Sequence, residues 1–335
     1  LRRPTDTFGS IIEQQLVREK LERDPMPSHC DINERCISQL RNVGLEGYFA
    51  VIGSGPSSRF IASIEKLEEK LGSLVGIEKK QEQHFWDYTQ DVFDALQGNT
   101  NQYFSAIRET YGDSFQWTAR IYEQIAFLPV KGFATLNYDD QLPHAFRLRH
   151  EDREARRFYL YPHPAVNFPR SLSDLLSDQP QLIALHGYAD ENNPTWEREI
   201  ILKRSDYNRY YSGHGAPLAS WWREILLNIP CLFIGTKLYE PGIKLVINQF
   251  DDRDLERLRS QKHVHLVGVN KSSEIDTSKT FGLIDRVSYK KLDRDHKGLC
   301  KILSDLNGLP PYSVHQSLPT PSSINPGFDP NASIL

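Results

Sequence analysis

The sequence predicts an α/β fold: a Rossmann-like parallel sheet with helices on both faces and an inserted helical subdomain. Three observations carry this. Short, nearly all-apolar runs recur along the chain, as strands buried on both faces require. Helical patterns lie between most of them, the alternation of a parallel sheet covered by helices. An aromatic-rich helical stretch after the first unit is too long for a simple crossover and shows no strand alternation.

Taken in order, residues 1–46 predict polar helices. Ile11, Ile12, Leu16 and Leu21 form a weak stripe, and Asp31 precedes a second segment carrying Ile37 and Leu40. This is expected to be an accessory or oligomerisation arm. Gly47-Tyr48-Phe49-Ala50-Val51-Ile52 is the first strand, stopped by Gly53-Ser54-Gly55-Pro56-Ser57. A helix is expected from about Pro56, with Ile61, Ile64, Leu67 and Leu71 on one side. The helical insert is expected at about 84–127. Strands return at Gly132–Leu136, Leu182–Leu185, Cys231–Ile234 and Val264–Val269, with helical patterns at Trp221–Leu227 and Ile243–Leu258 between later ones. Residues 47–306 thus form the main domain. Residues 307–335, rich in Pro and Ser without apolar periodicity, are expected to be a tail or linker.

The 335 residues suffice for one large domain or two smaller ones. Hydrophobic residues at 39% and charged ones at 25% describe a globular chain and exclude disorder for most of it. A net charge of −4 generates no global positive field toward nucleic acid or anionic lipid. Cys30, Cys36, Cys231 and Cys300 contain no C-x-x-C pair, which suits a reducing cytosol and argues against a zinc ribbon. No apolar run approaches membrane-spanning length, and Leu1-Arg2-Arg3-Pro4 leads into no signal-peptide core, so the expected location is cytoplasmic. The single methionine, Met26, and the absence of an initiating one suggest a processed form or a piece of a longer protein.

In an open parallel sheet, ligands bind beyond the carboxyl ends of the strands. Here those ends carry Gly53-Ser54-Gly55-Pro56-Ser57, then Thr135-Leu136-Asn137-Tyr138-Asp139-Asp140, His186-Gly187, Gly235-Thr236-Lys237-Leu238 and Asn270. The two glycines of the first loop would let backbone N–H groups approach a diphosphate at a helix N-terminus, though a plain tight turn uses the same residues. An amide and a carboxylate at a strand end contribute little to a core. A lone imidazole there is more often a satisfied structural group or a surface one.

In order and spacing these residues resemble the sirtuin-like family of NAD-consuming enzymes, in its branch of bacterial anti-phage NAD hydrolases. The resemblance covers roughly residues 47–306. Gly53-Ser54-Gly55-Pro56-Ser57 resembles the family's Gly-Ala-Gly-x-Ser loop, Thr135-Leu136-Asn137-Tyr138-Asp139 its Thr-x-Asn-Tyr-Asp motif, and Leu185-His186-Gly187 its Leu-His-Gly. Ile234-Gly235-Thr236-Lys237-Leu238 resembles its Gly-Thr-Ser-Leu motif, and Asp295-His296 an Asp-His near the branch's C-terminus. The resemblance implies NAD as substrate, held between the sheet and the helical subdomain. Asn137 would hold the nicotinamide ribose and the attacking water, and His186 would be the general base. Gly53, Ser54, Gly55, Ser57, Thr135, Asp139, Gly235 and Thr236 would contribute to binding, with Asn270 at the adenosine ribose. Arg59 would contact phosphate or nicotinamide, or be solvated.

Two departures inform the reading. The cysteines lack the ligand spacing of the deacylases' zinc module, so hydrolysis is favoured over deacylation, and no metal site is expected. Lys237 stands where the family usually has Ser. The resemblance also implies an NAD-depleting role in defence, a homo-oligomer, and a partner such as a HerA-type ATPase or a short Argonaute. A non-catalytic module binding NAD or ADP-ribose is the alternative.

Other features have quieter readings. Asp139 is expected to orient Asn137 and Asp140 to be solvated. The Arg-rich residues 147–157 are expected to form a salt-bridged exposed helix, with no sequence-specific nucleic-acid binding. His263 and His265 alternate on a strand without a carboxylate partner. Residues 201–211 read either as a cover packed by tyrosines or as a lid hinged at Gly213 and Gly215.

Overall fold

The computed structural model describes residues 29–57, 63–111, 120–151, 159–161, 181–189, 197, 200–212, 216–236, 238, 241–269, 283–291 and 297–308. Residues 1–28, Arg59, Gly213, Gly215, Lys237, Asn270, Asp295, His296 and the tail from 309 lie outside the described residues.

Seven described strands form one sheet: β1 (Phe49–Ile52), β2 (Gly132–Thr135), β3 (Tyr159–Tyr161), β4 (Gln181–Ala184), β5 (Cys231–Ile234), β6 (Val264–Val269) and β7 (Asp285–Lys290). Their order across the sheet is β3-β4-β2-β1-β5-β6-β7, and all six pairings are parallel. Five strands follow the apolar runs. The other two, β3 and β7, are the sheet's edges.

Each central strand has two buried faces, which is why its sequence is apolar throughout. Along β1, Ala50 and Ile52 point to one face and Phe49 and Val51 to the other. Helices α1 (His29–Val43), α5 (Arg120–Ala126), α6 (Gln141–Glu151) and α11 (Lys297–Asn307) cover the first face, through Leu40, Tyr122, Phe146, Leu299 and Ile302. Helices α7 (Arg204–Tyr211), α8 (Pro217–Asn228), α9 (Pro241–Ile247) and α10 (Asp252–Ser260) cover the second, where Trp221 meets Phe49 edge-on at 5.9 Å. The helices begin where the sequence allows: Pro217 opens α8, and Asp251 caps α10 by accepting from the Asp254 N–H at 2.9 Å.

A third apolar cluster joins α2 (Ile64–Val75), α3 (Phe85–Ala95) and α4 (Thr100–Tyr111) to Tyr138, Ala189, Ile200 and Leu202. Because Tyr138 and Ala189 follow β2 and β4, this helical layer sits over the carboxyl edge of the sheet.

Packing adds detail to three expectations. The helical layer draws on α2, while α5 packs on the sheet, so the layer differs in extent from residues 84–127. Helix α1, the described part of the expected accessory or oligomerisation arm, packs on the sheet: Cys36, Ile37 and Leu40 are buried in the sheet core, and Asn33 accepts from the Lys290 N–H at 2.9 Å. Gly55–Ser57 form a short 3-10 turn, and among the described residues helix α2 runs from Ile64, capped by Ser63.

Candidate functional site

Ile52, Thr135, Ala184 and Ile234 are in register at the carboxyl ends of four neighbouring strands, so the residues after them emerge along one edge. From β1 the chain goes first to β2 on one side, and it returns later to β5 on the other. The edge between β1 and β5 is therefore the point where the strand order reverses, the place such sheets hold ligands.

At that point two loops interlock. Gly53 N–H donates to Ile234 O (2.9 Å) and Gly55 N–H to Gly235 O (2.8 Å). A Cβ on Gly53 would lie 2.6 Å from Gly235 O and 2.8 Å from Thr236 Cα, and one on Gly55 would lie 2.6 Å from Gly235 Cα. Gly235 has φ +67° and faces Pro56. These two N–H groups donate to protein carbonyls, and the glycines let backbone meet backbone. Ser54 is exposed beside this junction, Gly55, Gly235 and Thr236 are half-buried, and Ser57 closes the 3-10 turn. Thr236 Oγ1 accepts from Leu238 N–H (3.0 Å), and Thr236 O accepts from His265 Nε2 (2.8 Å).

Asn137 follows β2 and is buried. Its N–H donates to Oγ1 of the fully buried Thr135 (3.1 Å), and its Nδ2 donates to Tyr122 Oη (2.9 Å) and, at 3.4 Å, to Gly53 O. Both amide protons are thereby engaged, so Oδ1 is the atom the side chain has left for a ligand.

His186, 3% exposed, stands after β4 among aromatic rings. Tyr138 stacks on it at 5.9 Å, and Tyr207 and Tyr211 meet it edge-on at 5.6 and 6.1 Å. Its Nε2 is 3.0 Å from Tyr211 Oη, and its carbonyl accepts from the Ile201 N–H at 2.8 Å. Tyr138 ties the set together: its Oη donates to Ile201 O (2.9 Å) and its carbonyl accepts from Ala189 N–H (3.0 Å).

Thr135 and Tyr122 hold Asn137 by hydrogen bonds, and Asp139 makes one to α6. Its Oδ1 accepts from the Gln141 N–H at the start of α6 (3.1 Å). Burial pushes this carboxyl up to about 7; the Gln141 hydrogen bond opposes the rise and Asp140 adds to it. Asp140, expected in solvent, is itself only 4% exposed.

The remaining candidates have structural places. His263 Nδ1 accepts from Cys231 N–H (3.0 Å), so its Nε2 carries the proton and donates to Leu226 O (2.9 Å). Burial holds it down to about 4 and lowers His265 as well. Cys36 and Cys231 pack in clusters on opposite faces of the sheet and do not converge on one ion. Among the described residues no group of three His, Cys, Asp or Glu could hold a metal. Ile201, Tyr210 and Tyr211 are buried, as the cover reading of residues 201–211 requires. Within the Arg-rich run, Arg147 donates to Tyr188 Oη (2.9 Å). No described helix is long and apolar enough to cross a membrane.

Two residues of the site escape the sequence reading. Tyr122 holds Asn137, and Tyr211 holds His186. Both lie in aromatic stretches that helical spacing assigns to packing, and nothing in the spacing marks their hydroxyls.

The fold is that of a Rossmann-like α/β protein, with the candidate residues at the carboxyl edge of the sheet where the strand order reverses. The family model described as SIR2-like domain matches residues 131–283, in agreement with a sirtuin-like family. That segment contains Asn137, His186 and Gly235; Gly53 precedes it and is joined to it by the interlocked loops. No curated protein matches the chain. SIR2-like domains use NAD as substrate, so the match points to an NAD-related activity.

Proposed function

We propose that this protein is an NAD glycohydrolase, cleaving NAD to nicotinamide and ADP-ribose. The observation that supports this reading most is Asn137: its amide donors are fixed by Tyr122 and Gly53, its acceptor remains for a ligand, and the next residue, Tyr138, stacks on buried His186. In the proposed reaction Asn137 Oδ1 accepts a hydrogen bond from the attacking water. The water oxygen bonds to C1′ of the nicotinamide ribose while the C–N bond breaks through an oxocarbenium-like state. Nicotinamide leaves with the bonding pair as a neutral molecule, and the water's proton passes to His186. The helical layer over the carboxyl edge shields this step from bulk solvent.

Nicotinamide release from NAD by purified protein tests the proposal. Asn137→Ala and His186→Ala should each lower it by about 100-fold or more. Turnover that survives both substitutions overturns the proposal, and NAD binding without turnover in the wild type assigns a binding module instead.

We further propose the biological setting that the motifs imply: the NAD-depleting effector of a prokaryotic anti-phage system, cytoplasmic and homo-oligomeric, acting beside a HerA-type ATPase or a short Argonaute. Cellular NAD measured after phage infection, wild type against His186→Ala, checks it. Equal NAD levels in the two would remove the defence role.

A further inference from the structure

We propose that Tyr211 is the positioning residue for His186, and that residue 242 is glycine because the Tyr211 ring needs the space. This rests on the hydrolase reading above for its catalytic meaning, and on geometry alone for the contact.

An imidazole walled by Tyr138, Tyr207 and Tyr211 needs a polar contact to set its rotation. The Tyr211 hydroxyl, 3.0 Å from Nε2, supplies one. Both side chains are buried, at 3% and 2% exposure, so water does not compete strongly for this contact.

The hydroxyl is in turn held in place. Tyr207 stacks on the Tyr211 ring at 5.4 Å with planes 18° apart. Asp206 Oδ2 accepts from Lys203 N–H at 3.0 Å and from Leu202 N–H at 3.3 Å, anchoring the first turn of α7. The same segment returns to the histidine through Ile201 N–H and the His186 carbonyl. On the far side, a Cβ at Gly242 in the first turn of α9 would run into three atoms of the Tyr211 ring. Phenylalanine would fill this slot equally well. What tyrosine adds is the one atom that reaches His186, and support of this kind is what holds a reacting group in productive geometry.

Two measurements on the full chain test this, both on Tyr211→Phe and Gly242→Ala. The first is steady-state nicotinamide release. With Tyr211→Phe, kcat should fall by about 10- to 100-fold, the cost of a small misplacement, while KM for NAD stays within about twofold. The second is 15N-histidine NMR, with the His186 signal identified by its loss in His186→Gln. Its Nε2 resonance should move in both variants while the other histidines hold still.

An unchanged His186 resonance in Tyr211→Phe overturns the proposal, whatever the turnover. A moved resonance with unaltered kcat also overturns it, because the contact would then position nothing. A wild type that releases no nicotinamide, yet shows the moved resonance on substitution, removes the hydrolase reading and supports Tyr211 as the group that orients His186.

Discussion

Asp139 shows how a single residue can link the site to stability. Its carboxyl is buried at the start of α6, and burial raises it from 3.8 to about 7. Between those values the folded chain retains a proton that the unfolded chain has released. Stability therefore falls as pH rises through this window and levels off above it. Asp139→Asn keeps an acceptor for Gln141 N–H and removes the ionisation. Thermal unfolding at pH 4.5 and pH 8 should show the wild type losing at least about 3 °C more than the variant over that interval. Equal losses would mean that the carboxyl ionises freely in the fold. That Asn137 and His186 lie at strand ends is legible in the sequence for a simple reason: each follows a short apolar run that a strand buried on both faces accounts for. What Tyr122 and Tyr211 do is not, because an aromatic ring at helical spacing serves packing first, and only tertiary contact shows which hydroxyl is also used.

At the scale of elements, the loop after β5 carries the sharpest expectation. Gly235 combines a positive φ of +67° with a position where a Cβ would meet Pro56 and Gly55; Gly44 has a φ of +69° with open space around it. Alanine at either position adds the left-handed backbone cost of about 1–2 kcal/mol. Only Gly235→Ala should also force the two loops apart. Both variants should melt several degrees lower, and nicotinamide release should drop at least about tenfold in Gly235→Ala alone. Parallel loss of activity in Gly44→Ala would assign the effect to general destabilisation. The same scale explains which strands the sequence shows. The central strands are buried on both faces and read as apolar runs. In β7 only Val287 and Tyr289 are buried, so an edge strand that alternates with Asp, Arg, Ser and Lys offers no such run. The three residues of β3, Tyr159–Tyr161, are too short to rise above the charged stretch before them.

Across the whole molecule the three apolar clusters are unequal. Two share the central strands, whose residues are almost wholly buried, while the third belongs to α2–α4 and reaches the sheet domain through few side chains. Local opening should follow that division. In native-state hydrogen exchange, amides of β1, β2 and β5 should be the slowest, and those of α3 and α4 should exchange through openings of lower free energy. Uniform protection across all three would show that the helical layer is one cooperative unit with the sheet. The division also accounts for what the sequence conceals about domain extent. The apolar stripes of α1 and α5 look like those of any amphipathic helix, and their partner surface is made by strands distant in the chain.

The hydrogen bonds that lock Gly53 and Gly55 to Ile234 and Gly235 have a consequence for synthesis. The first loop leaves the ribosome long before the second, and neither has its backbone partners until β5 has docked beside β1. An incomplete nascent chain therefore lacks this junction. The junction on which the candidate site is built can close only after the chain through Gly235 has been made and β5 has paired with β1.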